Sequence, residues 1–145
     1  MSDLRDLRPN ALRFVHRTPP SGVVLEGSTL VADEPYQVRM WQHVAAIKNG
    51  DRISLWVDGQ LSAEHTDPTL LSKEMQIVIG QLYVSRGERR FIGQIDEFAI
   101  YDRSLTPEEL RNHIKAAGRS TPSKNDRKAK PVKSRFNTNP EKELL

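Results

Sequence analysis

The chain has 145 residues, of which 37% are hydrophobic and none is cysteine, so it fits one domain and excludes disulfides and thiolate chemistry. Its net charge of +3 is unevenly placed. The segment from Gly118 to the C-terminus holds eight Lys and Arg residues and three acids, so it carries +5 and the remainder −2. The basic character belongs to this segment and is not evidence that a folded domain binds nucleic acid.

The N-terminal segment MSDLRDLRPN is charged and lacks the apolar stretch of a signal peptide. No run approaches the roughly 20 apolar residues that a membrane helix needs. We therefore expect a flexible lead-in over residues 1–9 and no membrane segment, and these residues do not predict a localisation.

Alternation of side chains predicts a first strand over Ala11–Arg17. Leu12, Phe14 and His16 lie on one side of it. The prolines of residues 18–22 end the strand, because proline removes ladder donors. The sequence then predicts a short strand at residues 23–25 and a loop at residues 33–35.

The stretch Trp41–Gln60 predicts two tight turns, at Asn49-Gly50 and at Asp58-Gly59. Both dipeptides suit the type I′ turn, which needs positive φ at both central positions. If Asn49 and Gly50 are the loop residues, Lys48 pairs with Asp51. Residues that stand directly opposite each other in the two strands then share a face. The resulting apolar face, which needs an opposing sheet, consists of Val44, Ala46, Ile53, Leu55 and Val57.

Three further strands are predicted, over Gln60–His65, Met75–Ile79 and Phe91–Tyr101. Neither face of Phe91–Tyr101 is wholly apolar, which indicates a central strand covered on both sides. We expect this strand to supply part of the cover for the apolar face of the hairpins.

Residues 106–109 predict the start of a helix. Thr106 is the N-cap, Pro107 the first helical residue, and Glu109 completes a capping box. Gly118 is a plausible end of the helix. Residues 118–145 are rich in Ser, Pro, Lys, Arg and Asn, which predicts a disordered basic tail. Some seven short strands and one short C-terminal helix indicate an all-β antiparallel sandwich.

Several motifs in order resemble the laminin-G-like jelly-roll module of the concanavalin A-like lectin/glucanase superfamily. They are Trp41-x-His43-Val44-Ala45, Leu55-x-Val57-Asp58-Gly59, Ile79-Gly80, and Phe91-x-Gly93-x-Ile95-Asp96-Glu97-Phe98-x-Ile100-Tyr101-Asp102-Arg103-x-Leu105-Thr106-x-x-Glu109. The resemblance implies a β-sandwich over residues 10–117 and a non-enzymatic module that binds carbohydrate or protein. It also implies more strands before Trp41 than the chain supplies. We therefore expect a partial module of a larger extracytoplasmic protein.

Two kinds of site residue are candidates. Trp41 and Trp56, with His43 on the same predicted face, could stack on a sugar, although packing is the favoured interpretation of both tryptophans because this side chain buries a large area. Asp96, Glu97 and Asp58 could bind Ca²⁺, which takes several oxygen ligands. Against this, adjacent acids on a strand point to opposite faces, and turn chemistry already explains Asp58. No cofactor is otherwise expected.

Catalysis is not expected. The four histidines show no zinc-site spacing, and no nucleophile or phosphate-binding motif occurs. The carboxylate pair at alternate strand positions used by the related glucanases is also missing. The sequence thus predicts a binding module for glycan or protein, with nucleic acid an improbable partner. The alternative is an interaction segment without its own ligand, whose basic tail contacts an anionic partner.

Overall fold

The structure is a computed structural model that describes residues 10–18, 27–80 and 91–119. Within these ranges it contains five strands and one helix. They are β1 (Ala11–Val15), β2 (Thr29–Pro35), β3 (Val44–Asn49), β4 (Arg52–Val57), β5 (Gln60–Thr66) and α1 (Pro107–Ala116). The predicted lead-in, the strand predicted at residues 23–25 and the tail beyond Arg119 lie outside the described residues.

The strands form two antiparallel sheets, the hairpin β1-β2 and the meander β3-β4-β5. The hairpin packs on one face of the meander, which we call the first face. The core between them consists of Leu30, Ala32, Ile53 and Leu55, with Leu12, Phe14 and Ala63 packed against it. The prediction that Leu12 and Phe14 share an inward side is confirmed, and the arrangement is a β-sandwich.

The sequence predicts that Phe91–Tyr101 covers part of the first face. In the structure the cover comes from β2 instead. Ile53 and Leu55 on β4 are buried, at 0% and 1% exposure, because the hairpin lies over them. Val44 on the edge strand β3 belongs to the same face but stays 45% exposed. The predicted apolar face is therefore buried along β4 and open along β3.

The turn between β3 and β4 lies one residue later than predicted. Asn49 pairs with Arg52, so the loop residues are Gly50 and Asp51. Gly50 has φ +58°, as the first central residue of a type II′ turn requires. The shift moves each pairing by two residues, so every side chain keeps its predicted face. The next turn is as predicted, since Asp58 and Gly59 both have positive φ, +50° and +73°.

Strand β2 was not foreseen, because its second half, Asp33 to Pro35, reads as a loop. Leu30 and Ala32 point into the core, while the polar end of the strand is exposed. Pro35 stands at the last position of β2, opposite Ala11. Proline and acids are tolerated there because the end of a two-stranded edge does not need every ladder donor.

Two predicted strands, Met75–Ile79 and Phe91–Tyr101, are wrong. Neither segment pairs as a strand among the described residues, and the side chains of both are exposed. The segments approach each other where the Phe91 N–H donates to the carbonyl of Gly80. Alternation alone does not make a strand, because the backbone adopts a ladder only where a neighbouring strand supplies partners.

Helix α1 is confirmed in detail. The Thr106 hydroxyl accepts from the Glu109 N–H at 3.2 Å, and the Glu109 carboxylate accepts from the Thr106 N–H at 2.7 Å. At the other end Gly118 has φ +70°, and the Arg119 N–H donates to the Ile114 carbonyl at 3.1 Å. This is a Schellman motif, which satisfies the last carbonyls. The buried face of the helix is Leu110 and Ile114.

Candidate functional site

Helix α1 lies over the second face of the β3-β4-β5 sheet, opposite the hairpin. Residues 104–107, which lead into the helix, share a groove with Ile47 and Asn49 at the end of β3. His113, near the other end of the helix, contacts His43 just before β3. The helix therefore runs antiparallel to β3, and the sheet is a middle layer with cover on both faces.

A groove of about 290 Å³ opens between the sheet and the start of the helix. Four elements or segments contribute to its walls: β3, β4, β5 and the lead-in to α1. The lining residues are Ile47, Asn49, Arg52, Ser54, Trp56, Leu61, Glu64, Ser104, Leu105, Thr106 and Pro107. The size is at the lower end of the range for small-molecule sites.

Trp56 forms the aromatic part of the groove wall. It is partly buried between its cross-strand neighbours Ala45 and Leu61. Its indole N–H donates to the Ser54 hydroxyl at 3.0 Å, which fixes the ring orientation. An aromatic ring held in this way offers an apolar face without a further loss of side-chain freedom on binding.

Charged groups stand at the rim of the groove. The Arg52 guanidinium and the Glu64 carboxylate form an ion pair at 3.1 Å, with 67% and 45% of the side chains exposed. Such exposed pairs contribute little to stability. Both groups are exposed and can form hydrogen bonds to a ligand, beside the Asn49 amide and the Ser104 hydroxyl.

The structure does not bring the three candidate ligand-binding residues together in the groove. Trp56 lines the groove, while Trp41 is 50% exposed and is not among the lining residues. His43 lies at the far end of α1, where its ring centroid is 6.0 Å from that of His113. Burial and the neighbouring His113 lower the pKa of His43, against the opposing effect of Asp58.

Asp58 ties the turn after β4 to the start of β3. Its Oδ1 accepts from the His43 N–H at 2.9 Å and its Oδ2 from the Gln42 side-chain amide at 3.4 Å. Its own N–H donates to the His43 carbonyl at 2.8 Å. These bonds occupy the carboxylate that the sequence offers as a calcium ligand, and they give Asp58 a structural role.

Asp96 and Glu97 lie in an exposed segment without strand structure, so the prediction that they point to opposite faces of a strand is wrong. The Asp96 carboxylate accepts from the Glu97 N–H at 2.9 Å, and Glu97 has φ +53°. Within residues 10–18, 27–80 and 91–119, no three His, Cys, Asp or Glu side chains converge as a metal site.

Sequence reasoning missed a buried pair between His16 and Asp67. His16 Nδ1 and Asp67 Oδ2 are 2.7 Å apart, with side chains 9% and 1% exposed. Burial alone would raise the pKa of Asp67, but hydrogen bonds from His16 and Thr69 outweigh it and hold that pKa below its usual range. The pair joins the end of β1 to the end of β5. Its only local signal in the sequence is the Asp67-Pro68 dipeptide, which indicates that a strand ends there.

The Asp102–Glu109 stretch also contains an ion pair that the sequence did not predict. The two guanidinium nitrogens of Arg103 contact the two oxygens of Glu109 at 3.1 and 2.6 Å. With this bidentate contact and the bonds from Thr106, the pKa of Glu109 falls to about 2. Arg103 and Glu109 thus fix the lead-in that forms one wall of the groove.

Comparison with protein-family models agrees with this architecture. A laminin G family model, described as belonging to the concanavalin A-like lectin/glucanases superfamily, matches residues 10–111. A search of curated protein sequences gives no match. One similar solved structure is an S-layer domain-containing protein from Clostridium thermocellum, with 24% identity and a TM-score of 0.47. The match covers 60% of this chain and 45% of that one. On the family match, the chain belongs to the concanavalin A-like lectin/glucanase superfamily as a laminin G-like module.

Proposed function

We propose that this chain is a non-catalytic binding module that holds a carbohydrate in the Trp56 groove, as part of an extracytoplasmic protein. Membership of the laminin G-like family supports a role in binding. No helix in the described ranges has the length and apolar character needed to span a membrane. We also propose that the chain is part of a larger protein, that this protein is extracytoplasmic and that its partner is a glycan.

The observation that carries the proposal is the composition of the groove. A sugar ring presents apolar C–H faces and a girdle of hydroxyls. Trp56, Ile47 and Leu61 offer apolar surface to the first, and the polar side chains at the rim offer donors and acceptors to the second. Apolar walls with a few convergent polar groups are typical of small-molecule sites.

The carboxylates of the groove favour binding over hydrolysis. Glycosidases flank the scissile bond with two carboxyl groups, one of which must act as an acid or a base. Among the lining residues only Glu64 carries a carboxylate, and it is paired with Arg52. A ligand in this groove would therefore be held without being cleaved.

The test is binding of the full chain to a glycan array, with Trp56→Leu and Trp41→Leu as a matched pair of variants. Trp41 is the control, because it is equally large but is not among the groove-lining residues. We expect Trp56→Leu to reduce binding about tenfold, which corresponds to about 1.4 kcal/mol, since contacts on an aromatic face contribute about 0.5–1.5 kcal/mol beyond the buried area. Trp41→Leu should bind like the wild type. Equal losses in both variants, or no glycan bound at all, would contradict the proposal.

The same array run with Ca²⁺ and with a chelator tests whether calcium, for which the sequence offers Asp96 and Glu97 as ligands, takes part in binding. Binding that survives chelation would show that glycan binding does not require calcium. Binding lost on chelation and restored by Ca²⁺ would support a metal site that includes some of these acids.

A second candidate function is protein binding through the exposed apolar segments. Ile92 is 89% exposed and Ile100 66%, and Met75, Ile77 and Ile79 are also exposed. Apolar side chains mark an interaction site where they form a contiguous exposed surface. This function is favoured if no glycan binds on the array while the full chain binds a protein partner and Ile92→Lys abolishes that binding. A role for the basic tail in contacting an anionic partner stays a prediction, because the tail lies outside the described residues.

A further inference from the structure

Two histidines meet where α1 approaches the start of β3. The rings of His43 and His113 lie edge to face, with centroids 6.0 Å apart and an interplanar angle of 61°. Tyr101 also stacks on His113, with ring centroids 5.8 Å apart and an interplanar angle of 20°. His113 is in the last turn of α1, so this contact joins the helix to the sheet layer.

The position of His43 is fixed from its backbone. Its N–H donates to the Asp58 carboxylate and its carbonyl accepts from the Asp58 N–H, at 2.9 and 2.8 Å. The ring is partly buried, and its Nδ1 has no hydrogen-bond partner among the described residues. In the neutral ring Nδ1 can be the unprotonated acceptor. In the imidazolium both nitrogens are donors, so protonation would bury an N–H group without an acceptor.

The charges that face His43 come from two elements. His113 faces it from α1, and Asp58 faces it from the turn after β4; Tyr101 stacks on His113. Burial first and His113 second lower the pKa of His43, and Asp58 opposes them only in part. His113 is in the last turn of α1, and a positive charge on it disfavours protonation of His43.

We propose that His43 and His113 form an acid-sensitive contact that holds α1 on the sheet at neutral pH and releases it on acidification. A histidine whose folded-state pKa is lowered stabilises the folded state fully above its unfolded pKa of about 6.5. This contribution is lost as the pH falls below 6.5 towards the folded pKa. Because the lead-in to α1 forms one wall of the groove, release of the helix would also open the groove.

The first test is an NMR titration of the imidazole signals of the full chain between pH 8 and 5. The variants are His113→Gln and, as a control, His65→Gln, since His65 is exposed at the end of β5. We expect His43 to titrate below 6.5 in the wild type and in the control, and to titrate higher in His113→Gln. A His43 pKa at or above 6.5 in the wild type, or one that His113→Gln leaves unchanged, would overturn the proposal.

The second test measures opening of the helix by amide hydrogen exchange at Leu110 and Ile114. After correction for the pH dependence of the chemical exchange step, the opening constant should rise as the pH falls from 7.5 to 5.5. Each unit by which the pKa of His43 is lowered allows about a tenfold rise. The rise should be smaller in His113→Gln. An opening constant that does not change with pH in the wild type would contradict the proposal, whatever the outcome of the glycan array.

Discussion

At the scale of single residues, the contact between His16 and Asp67 joins the two layers of the sandwich. Asp67 is almost fully buried and accepts from His16 and from the Thr69 N–H at 2.9 Å. The Lys48 ammonium donates to the backbone carbonyl of Asp67 at 2.6 Å. A buried carboxylate is tolerated because hydrogen bonds replace the water that it loses.

We predict that Asp67→Asn lowers the free energy of unfolding by about 1.5–3 kcal/mol at pH 7, the range for hydrogen bonds to charged groups. Urea unfolding followed by tryptophan fluorescence measures it. Because the folded-state pKa of Asp67 is lowered, its contribution is present above the usual Asp pKa of about 3.9 and is lost as the pH falls through the folded value. The gap between variant and wild type should therefore narrow below pH 4. A gap that stays constant down to pH 2 would exclude the carboxylate as its cause.

The inward side of His16 was predictable from alternation in β1, but its partner was not. Asp67 is 51 residues away and follows a strand of the other sheet. The pairing depends on how the two sheets pack, and no local sequence pattern predicts that packing. The same holds for Arg103, whose short distance to Glu109 depends on the bend of the segment before the helix.

At the scale of elements, α1 is stabilised by its cap. We predict that Thr106→Ala costs about 0.5–2 kcal/mol of stability, because the Glu109 N–H loses its acceptor. Thr106→Ser is the matched control, since it keeps the hydroxyl and should stay close to the wild type. Urea unfolding and the helical circular dichroism signal measure both variants. Equal effects of Ala and Ser would show that the lost methyl group matters and the cap does not.

The elements differ in how far the sequence could predict them, and the reason is the range of their contacts. The signals for α1 lie within residues 106–109 and act on their own backbone. The hairpins β3-β4 and β4-β5 were found for the same reason, since their turns are local, although the first turn was placed one residue early. Strand β2 and the segment Phe91–Tyr101 depend on distant partners, so β2 was missed and Phe91–Tyr101 was overpredicted.

At the scale of the whole molecule, the groove lies between the second face of the β3-β4-β5 sheet and the lead-in to α1. The sequence singled out Trp56 as a candidate but not the groove around it. The lining residues run from Ile47 to Pro107, and only the placement of α1 over the second face brings them together. Trp41 and Trp56 are alike in sequence as sugar-stacking candidates, and the structure separates them.

The indole N–H signals of these two tryptophans test the binding groove most directly. A ¹⁵N correlation spectrum of the full chain contains one such signal from each, because the chain has two tryptophans. We predict that titration with the oligosaccharide that binds best on the array shifts the Trp56 signal in a saturable way and leaves the Trp41 signal in place. Trp56→Leu assigns the two signals. A saturable shift of Trp41 alone, or no shift of either signal, would contradict carbohydrate binding in the Trp56 groove.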